Sequence, residues 1–232
     1  MIRIKAAGIA PEWEVLAARL LEGKIPADAS EIYSGRNRIL RLQADGIDVA
    51  VKFFSHSLKN RLIYSIFSSK AERSYLYAIE LTRLGIHTPA PLAYAERRGF
   101  LNTLQDSVYL CRYEEATDLR DYLESGPEAW REFGRFAALL HRKGVLHKDL
   151  NSTNVRVNAA GSGRPVFSLI DLNRMNFYPG GISGSKAYAN LVRFSYLTPE
   201  FTDFARSYAE AAGFPESAVS DLIRAKERHE KK

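Results

Sequence analysis

The sequence predicts an α+β chain in two lobes, a strand-rich N-terminal lobe over residues 1–112 and a short helical C-terminal lobe over residues 113–232. Three observations carry this. Two strand-like stretches, EIYSGRNRILRLQ and IDVAVKFF, flank Ala44-Asp45-Gly46, where Asp-Gly reads as a hairpin turn. In PEAWREFGRFAALLHRKG, Trp130, Phe133, Ala137 and Leu140 recur at helical spacing. After Tyr113 the chain changes from mostly extended to mostly helical, with a connector near residues 112–117.

The elements follow in order. MIRIKA suggests a short strand. Pro11 opens a helix that runs to Leu21, with Gly23 just past its end. After the Asp45-Gly46 hairpin, residues 58–84 look helical, with Tyr75, Leu76, Ile79 and Leu84 on the buried face. Gly85 ends that helix, and HTPAPLAYAE leads into an extended piece. RRGFLNTLQDSVYLCRY reads as a further hairpin with its turn near Leu104–Ser107. Asp118 stands before DLRDYLES as a helix cap. Pro127 starts the long helix and Gly144 terminates it. NVRVNAAGSGRPVFSLIDLN reads as two short strands around a turn from Ala159 to Pro165. From Ser185 the chain is helical apart from turns at Thr198-Pro199 and Gly213–Pro215, and the tail RAKERHEKK is charged.

Composition limits the function classes. Hydrophobic residues make up 46% and charged residues 26% of 232, enough for a sizeable core. The net charge of +6 favours an anionic partner such as nucleotide or phospholipid. It comes with no nucleic-acid recognition motif, so nucleic acid is not expected. Cys111 is the only cysteine, which excludes an intrachain disulfide and reads as a buried structural thiol. No signal-type h-region and no run of ~20 apolar residues is visible, so a cytoplasmic chain is expected.

The chemistry-bearing stretch is GVLHKDLNSTNVRV, residues 144–157. It matches the catalytic-loop pattern H-R-D-L-x-x-x-N, with Lys148 for Arg. That chemistry needs a carboxylate to take the proton of an attacking hydroxyl, and an amide oxygen to help hold a metal on phosphates. Asp149 and Asn154 supply them. A second carboxylate is needed after the next strand, and VFSLIDLN supplies Asp171. A strand lysine is needed in the other lobe, and DVAVKFF supplies Lys52 in the V-A-I-K pattern. His147 reads as a residue bonding backbone beneath the loop, and His141 as one meeting helix-terminal carbonyls. Arg174 reads equally as a phosphate contact or a salt bridge, and Asp118 as a helix cap or a ribose contact.

This set resembles the protein-kinase-like fold, and more narrowly the lipopolysaccharide kinase family that phosphorylates Kdo or heptose of the inner core. The resemblance rests on HKDLNSTNV, on IDLNR in place of D-F-G, and on SKAERSYLYAIELTRLGIHTPAPLAYAE, and covers roughly residues 30–195. It implies ATP and Mg²⁺ as cofactors, Asp149 as catalytic base, and Asn154 and Asp171 as metal ligands. Lys52 would contact the α/β-phosphates, paired with a helix glutamate. Glu72 is chosen because it shares a helix face with Leu76 and Ile79, with Glu80 as rival. Gly35, in YSGRNRIL, is the one glycine placed for a phosphate-covering turn, because no G-x-G-x-x-G occurs. Asn151 replaces the phosphate-contacting Lys of many protein kinases, and A-P-E is absent.

The implied activity is Mg-ATP-dependent phosphotransfer to a sugar hydroxyl, the Kdo of Kdo-lipid A, at the cytoplasmic face of the inner membrane. A protein kinase, an antibiotic-type small-molecule kinase and an inactive pseudokinase binding module remain the alternatives. FFSHSLKNRLIYSIFSSK, residues 53–70, reads in two ways. It is either an interfacial patch for an anionic membrane or a segment packed on the N-terminal lobe with solvated charges, and the second is favoured.

Overall fold

The computed structural model describes residues 3–159 and 163–231. Met1 and Ile2 of the expected first strand, residues 160–162 of the expected turn, and Lys232 of the tail lie outside the described residues. The chain forms two compact units, one of Met1–Arg83 with Thr88–Glu114, the other of Leu84–His87 with Glu115–Lys232.

The first unit is built on a six-stranded antiparallel sheet. Its strands are β1 (Arg3–Gly8), β2 (Ser30–Ser34), β3 (Asn37–Ala44), β4 (Ile47–Phe54), β5 (Pro91–Arg98) and β6 (Leu104–Arg112). They lie in the order β1-β5-β6-β4-β3-β2. The β3–β4 turn falls at Asp45 and Gly46, both at positive φ, as the Asp-Gly signal requires. Strand alternation sorts the side chains onto two faces. One face carries Leu40, Leu42, Val49, Val51, Val108 and Leu110 against α1 (Pro11–Leu21), which contributes Trp13, Ala17 and Leu20. The other carries Phe54, Tyr94 and Tyr109 against Ala71 and Tyr75 of a helix. That helix is α3 (Lys70–Arg83).

Four expectations are corrected in this unit. Residues 58–84 are not one helix but two, α2 (Leu58–Ile63) and α3. Serine hydroxyls break them apart: Ser65 Oγ donates to the Leu62 carbonyl, and Ser69 Oγ accepts from the Glu72 N–H to start α3. The buried face of α3 is Ala71, Ser74, Tyr75, Ala78 and Leu81, whereas Leu76 and Ile79 are exposed. Small Ala71 and Ala78, both fully buried, let the helix sit close to the sheet, which rotates the larger aliphatics outward. The β5–β6 turn spans residues 99–103, earlier than Leu104–Ser107, because Leu101 and Asn102 take up left-handed φ after Gly99. Finally, the apolar side of 53–70 does not pack inward: Leu58, Leu62, Ile66 and Phe67 are all exposed, and Tyr64 is buried.

The second unit is helical around an aromatic core. Its helices are α4 (Leu119–Leu123), α5 (Pro127–Arg142), α6 (Gly184–Leu191), α7 (Phe201–Ala212) and α8 (Ser217–Glu230). Phe133 of α5 stacks on Phe204 of α7 and meets Phe194 edge-on, at centroid distances of 5.5 and 4.8 Å. Full burial of Phe133 stabilises the unit by roughly 2–3 kcal/mol. Gly134 lets α5 and α7 touch, since a Cβ there would lie 2.7 Å from the Phe204 carbonyl oxygen. Short strands frame one end of this unit: β7 (Thr117–Asp118), β8 (Val145–His147), β9 (Val155–Asn158), β10 (Val166–Leu169) and β11 (Met175–Phe177). They pair antiparallel as β10-β9-β7 and β11-β8.

Candidate active site

The loop between β8 and β9 holds the polar cluster, and two strand pairs fix its ends. At its start, His147 pairs with Met175, and the Lys148 N–H donates to the Arg174 carbonyl at 2.8 Å. At its end, Val155 pairs with Leu169, so Asn154 stands beside Ile170, whose N–H donates to the Asn154 carbonyl at 3.0 Å. Asp171 follows directly. Asn154 and Asp171, 17 positions apart in sequence, become neighbours through that register.

The loop is shaped by its own side chains. Asn151 Oδ1 accepts from the Thr153 N–H, the Thr153 hydroxyl and the Asn154 N–H, at 3.0, 2.8 and 3.0 Å. This asparagine therefore builds the turn. Asn154 Nδ2 donates to the Asp149 carbonyl at 2.8 Å, which leaves Oδ1 as the group available to a cation. Asp149 Oδ2 lies 3.7 Å from Arg174 Nη1, with both side chains partly exposed. Of the two expected roles for Arg174, the ion pair is present. Asp171 sits at φ 55°, a left-handed backbone that few non-glycine residues adopt, and Asn173 Nδ2 donates to its Oδ1 at 2.7 Å.

Beneath the loop lies a buried polar chain. His147 is fully buried; its Nε2–H donates to the Ile170 carbonyl at 2.9 Å, and its Nδ1 accepts the Asp149 N–H at 3.2 Å. Burial pushes its pKa below the usual histidine value, so the ring is neutral in this tautomer. The His147 carbonyl accepts from Asn190 Nδ2 of α6 at 2.8 Å. Asn190 Oδ1 is 3.1 Å from His141 Nε2, and His141 Nδ1 is 2.8 Å from the Tyr208 hydroxyl of α7. His141 thus bonds side chains of α6 and α7 instead of helix-terminal carbonyls. Sequence reasoning missed Asn190 and Tyr208, which lie 43 and 67 positions from their partners and carry no local signal. Asp118 makes no cap hydrogen bond; its carboxylate accepts from the Arg156 guanidinium across β7–β9.

In the first unit, Lys52 lies half-buried on β4, with Nζ 5.3 Å from the Phe54 ring centroid. Cross-strand pairing puts Ile39, Lys52, Tyr109 and Tyr94 in one row on the face that α3 covers. Glu72 is not its partner. The Glu72 carboxylate bonds Lys5 Nζ at 2.7 Å and the Tyr94 hydroxyl at 3.0 Å. Lys5 belongs to edge strand β1, three strand steps from β4, a span of roughly 14 Å. Glu72 was chosen for the Leu76 and Ile79 face, which is the exposed one. The rival Glu80 pairs with Arg83 on its own helix. Gly35 lies at the β2–β3 turn, where its N–H donates to the Asn37 carbonyl at 3.1 Å. Added bulk at Gly35 would meet the Tyr33 ring and hydroxyl, 2.7 Å from a Cβ. Cys111, half-buried beside Tyr109, has its thiol pKa pushed up to about 12 by burial, which suits an inert structural thiol.

The chain is similar to known proteins. A family model described as the lipopolysaccharide kinase (Kdo/WaaP) family matches residues 50–202. A 3-deoxy-D-manno-octulosonic acid kinase of Actinobacillus succinogenes is 28% identical over 140 residues, covering 58% of each chain. The corresponding kinase of Haemophilus influenzae is 29% identical over 122 residues, covering 50% of each. That of Xanthomonas campestris pv. campestris is 34% identical over 97 residues, covering 41% of this chain and 37% of its own. The matched part therefore spans at most 58% of the length of these curated relatives. Among solved structures, WaaP in complex with acyl carrier protein superposes with a TM-score of 0.63 at 16% identity, covering 97% of this chain and 98% of WaaP. Plasmodium vivax ethanolamine kinase gives 0.57 at 11% identity, covering 94% and 78%. The fold is therefore an α+β, protein-kinase-like one of two lobes.

Proposed function

We propose that this chain, which belongs to the lipopolysaccharide kinase (Kdo/WaaP) family, transfers the γ-phosphoryl group of ATP to a sugar hydroxyl of the lipopolysaccharide inner core. The acceptor is the Kdo of Kdo-lipid A. The observation that supports this reading is the loop in which two strand pairs bring Asp149, Asn154 and Asp171 to neighbouring backbone positions, with Asn154 Nδ2 bonded to the Asp149 carbonyl. The curated relatives named as Kdo kinases supply the acceptor class.

In this mechanism Asp149 orients the sugar hydroxyl and takes its proton as the oxygen attacks the γ-phosphorus and the bond to the bridging oxygen breaks, releasing ADP. Lys52 holds the α/β-phosphates, the Gly35 turn covers them, and Arg174 adds positive charge beside the reacting groups. The donor set fits Mg²⁺: Asp171 and Asn154 offer hard oxygens, and Mg²⁺ on a nucleotide takes one or two carboxylates with phosphate oxygens and water. Asn154 and Asp171 would hold the ion, and it would supply positive charge against the charge that develops on the phosphates. Catalysis by this chain is then positioning plus electrostatics.

A lipid-linked acceptor places the chain at the cytoplasmic face of the inner membrane, held peripherally. Among the described residues no helix is long and apolar enough to cross a membrane. Because WaaP was solved with acyl carrier protein, such a carrier is a second partner to test by co-purification.

The test is to incubate the purified protein with Mg-ATP and Kdo-lipid A and to follow the acceptor by mass spectrometry. One added phosphate on the sugar is expected, with the rate reduced by orders of magnitude in Asp149→Ala and Asp171→Ala at unchanged far-ultraviolet circular dichroism. No phosphate on the acceptor, or near-normal rates in either variant, overturns the reading.

A further inference from the structure

We propose that the first unit carries a docking surface for an anionic phospholipid bilayer. It is formed by the α2–α3 segment together with the β5–β6 turn, and a basic cavity beside it receives a lipid phosphate. This deepens the lipid-linked-acceptor reading, but rests on it only for biological purpose; the surface itself is argued from this chain.

Apolar side chains converge there without covering one another. Leu62, Ile66, Phe67, Phe100 and Leu101 are 63, 83, 64, 78 and 74% exposed. Scattered exposed apolar residues are ordinary, but these come from two segments that the structure ties together. Asn102 Nδ2 donates to the Ser65 carbonyl at 2.8 Å, and Arg98 Nη1 donates to the Tyr64 carbonyl at 2.9 Å and the Asn102 carbonyl at 3.1 Å. The buried Tyr64 anchors the segment from below while its neighbours project.

The β5–β6 turn is held in an unusual state. Leu101 and Asn102, neither a glycine, sit at φ 49° and 61°. Closure by Gly99 N–H to the Thr103 carbonyl at 2.8 Å keeps them so. The outcome of that backbone is to hold Phe100 and Leu101 out in solvent. Strained backbone that presents apolar side chains to water points to a surface used for binding.

Charge selects the occupant. From Ser55 to Ser69 and from Arg98 to Gln105 there is no Asp or Glu, while Lys59, Arg61 and Arg98 are present. Beside Ile66 and Phe67 opens a cavity of about 490 Å³ lined by Arg3, Lys5 and Arg98, with Glu72 the one acid among its lining residues. Lys5 and Arg98 are paired with Glu72 and Glu96. Arg3 donates to Asn102 Oδ1 at 2.7 Å and has no carboxylate partner among the described residues. A guanidinium at the mouth of a net-positive cavity, next to protruding rings and aliphatics, matches the headgroup-and-acyl boundary of an anionic leaflet.

The experiment is co-sedimentation of the purified chain, without nucleotide, with vesicles of phosphatidylcholine alone or with a third phosphatidylglycerol. Binding to the anionic vesicles, weakened by salt, is expected, with little on neutral ones. Phe67→Ser with Phe100→Ser, both exposed and so tolerated by the fold, should weaken binding about tenfold or more. Arg3→Glu should remove the preference for anionic vesicles. Absence of vesicle binding by the parent chain, or equal binding by the double variant, overturns the proposal. So does a parent dimer that the double variant converts to monomer with vesicle binding unchanged, since the face then joins two copies. Phosphate transfer to detergent-dispersed Kdo-lipid A should be the same in the Phe67→Ser, Phe100→Ser variant. If no transfer occurs even in the parent, the kinase reading fails while the vesicle result stands by itself.

Discussion

Asn190→Ala removes a side chain that hydrogen-bonds the start of the catalytic-type loop to the helical core. Asn190 is 7% exposed and makes two hydrogen bonds, to the His147 carbonyl at 2.8 Å and with His141 Nε2 at 3.1 Å. Alanine leaves both partners buried without a mate, at about 1–3 kcal/mol each, or about 2–6 kcal/mol together. Against a typical total of ~5–15 kcal/mol the protein stays folded at room temperature but weakened. For a denaturant slope of roughly 2–3 kcal/mol per molar, the urea midpoint should fall by roughly 0.7–3 M. Tyr208→Phe removes one hydroxyl from His141 Nδ1 and should cost less, about 1–3 kcal/mol. Because the residues act in one chain, the double variant should be less destabilised than the sum, with a coupling of about 0.5–3 kcal/mol. The His147 carbonyl lies two residues before Asp149, so turnover should fall at least about tenfold with nucleotide affinity kept. A urea midpoint within about 0.3 M of the parent, or strict additivity with Tyr208→Phe, would refute the network.

Two further outcomes follow from local geometry. His56 is 9% exposed; burial, with Lys70 and Arg61 nearby, lowers its pKa from the usual histidine value to about 4. The unfolded chain therefore protonates first on acidification. The stability His56 contributes is complete above the unfolded value of 6.5 and is lost as pH falls towards 4, by about 3 kcal/mol. His56→Gln should flatten the unfolding free energy against pH by that amount over that window; parallel curves for variant and parent would contradict it. Gly144→Ala should destabilise the second unit severely, since φ is +73° and a Cβ would lie 1.8 Å from the Tyr178 carbonyl oxygen. Gly213→Ala, at φ +71° with open space around it, should cost only about 1–2 kcal/mol. Thermal melts giving equal shifts for the two would remove the steric argument.

Much of the site was legible because it is written locally. The spacing from His147 to Asn154 fits a single loop, and the alternation in VRV and VFSL fixes an antiparallel pair that returns Asp171 beside Asn154. Lys52 was placed by the same alternation. Glu72 was not legible: its assignment needed the rotation of α3 on the sheet, and buried Ala71 and Ala78 set that rotation through packing that no one-dimensional period reveals. The single long helix expected over 58–84 failed for a related reason, because serine side chains took over the backbone hydrogen bonds at 65 and 69.

The sequence by itself determined which residue types stand at which loop positions, the hairpin at Asp45-Gly46, and the chemistry that Asp149, Asn154 and Asp171 offer, since each depends on neighbours a few residues away. Tertiary structure alone decided that Glu72 bonds Lys5 and Tyr94, that Asn190 and Tyr208 support His147 through His141, and that Phe67 and Phe100 stand exposed on adjoining segments. Those facts arise from contacts between residues tens of positions apart. Such contacts form where close packing and satisfied buried hydrogen bonds bring chain segments together, and hydrophobic pattern alone does not specify them.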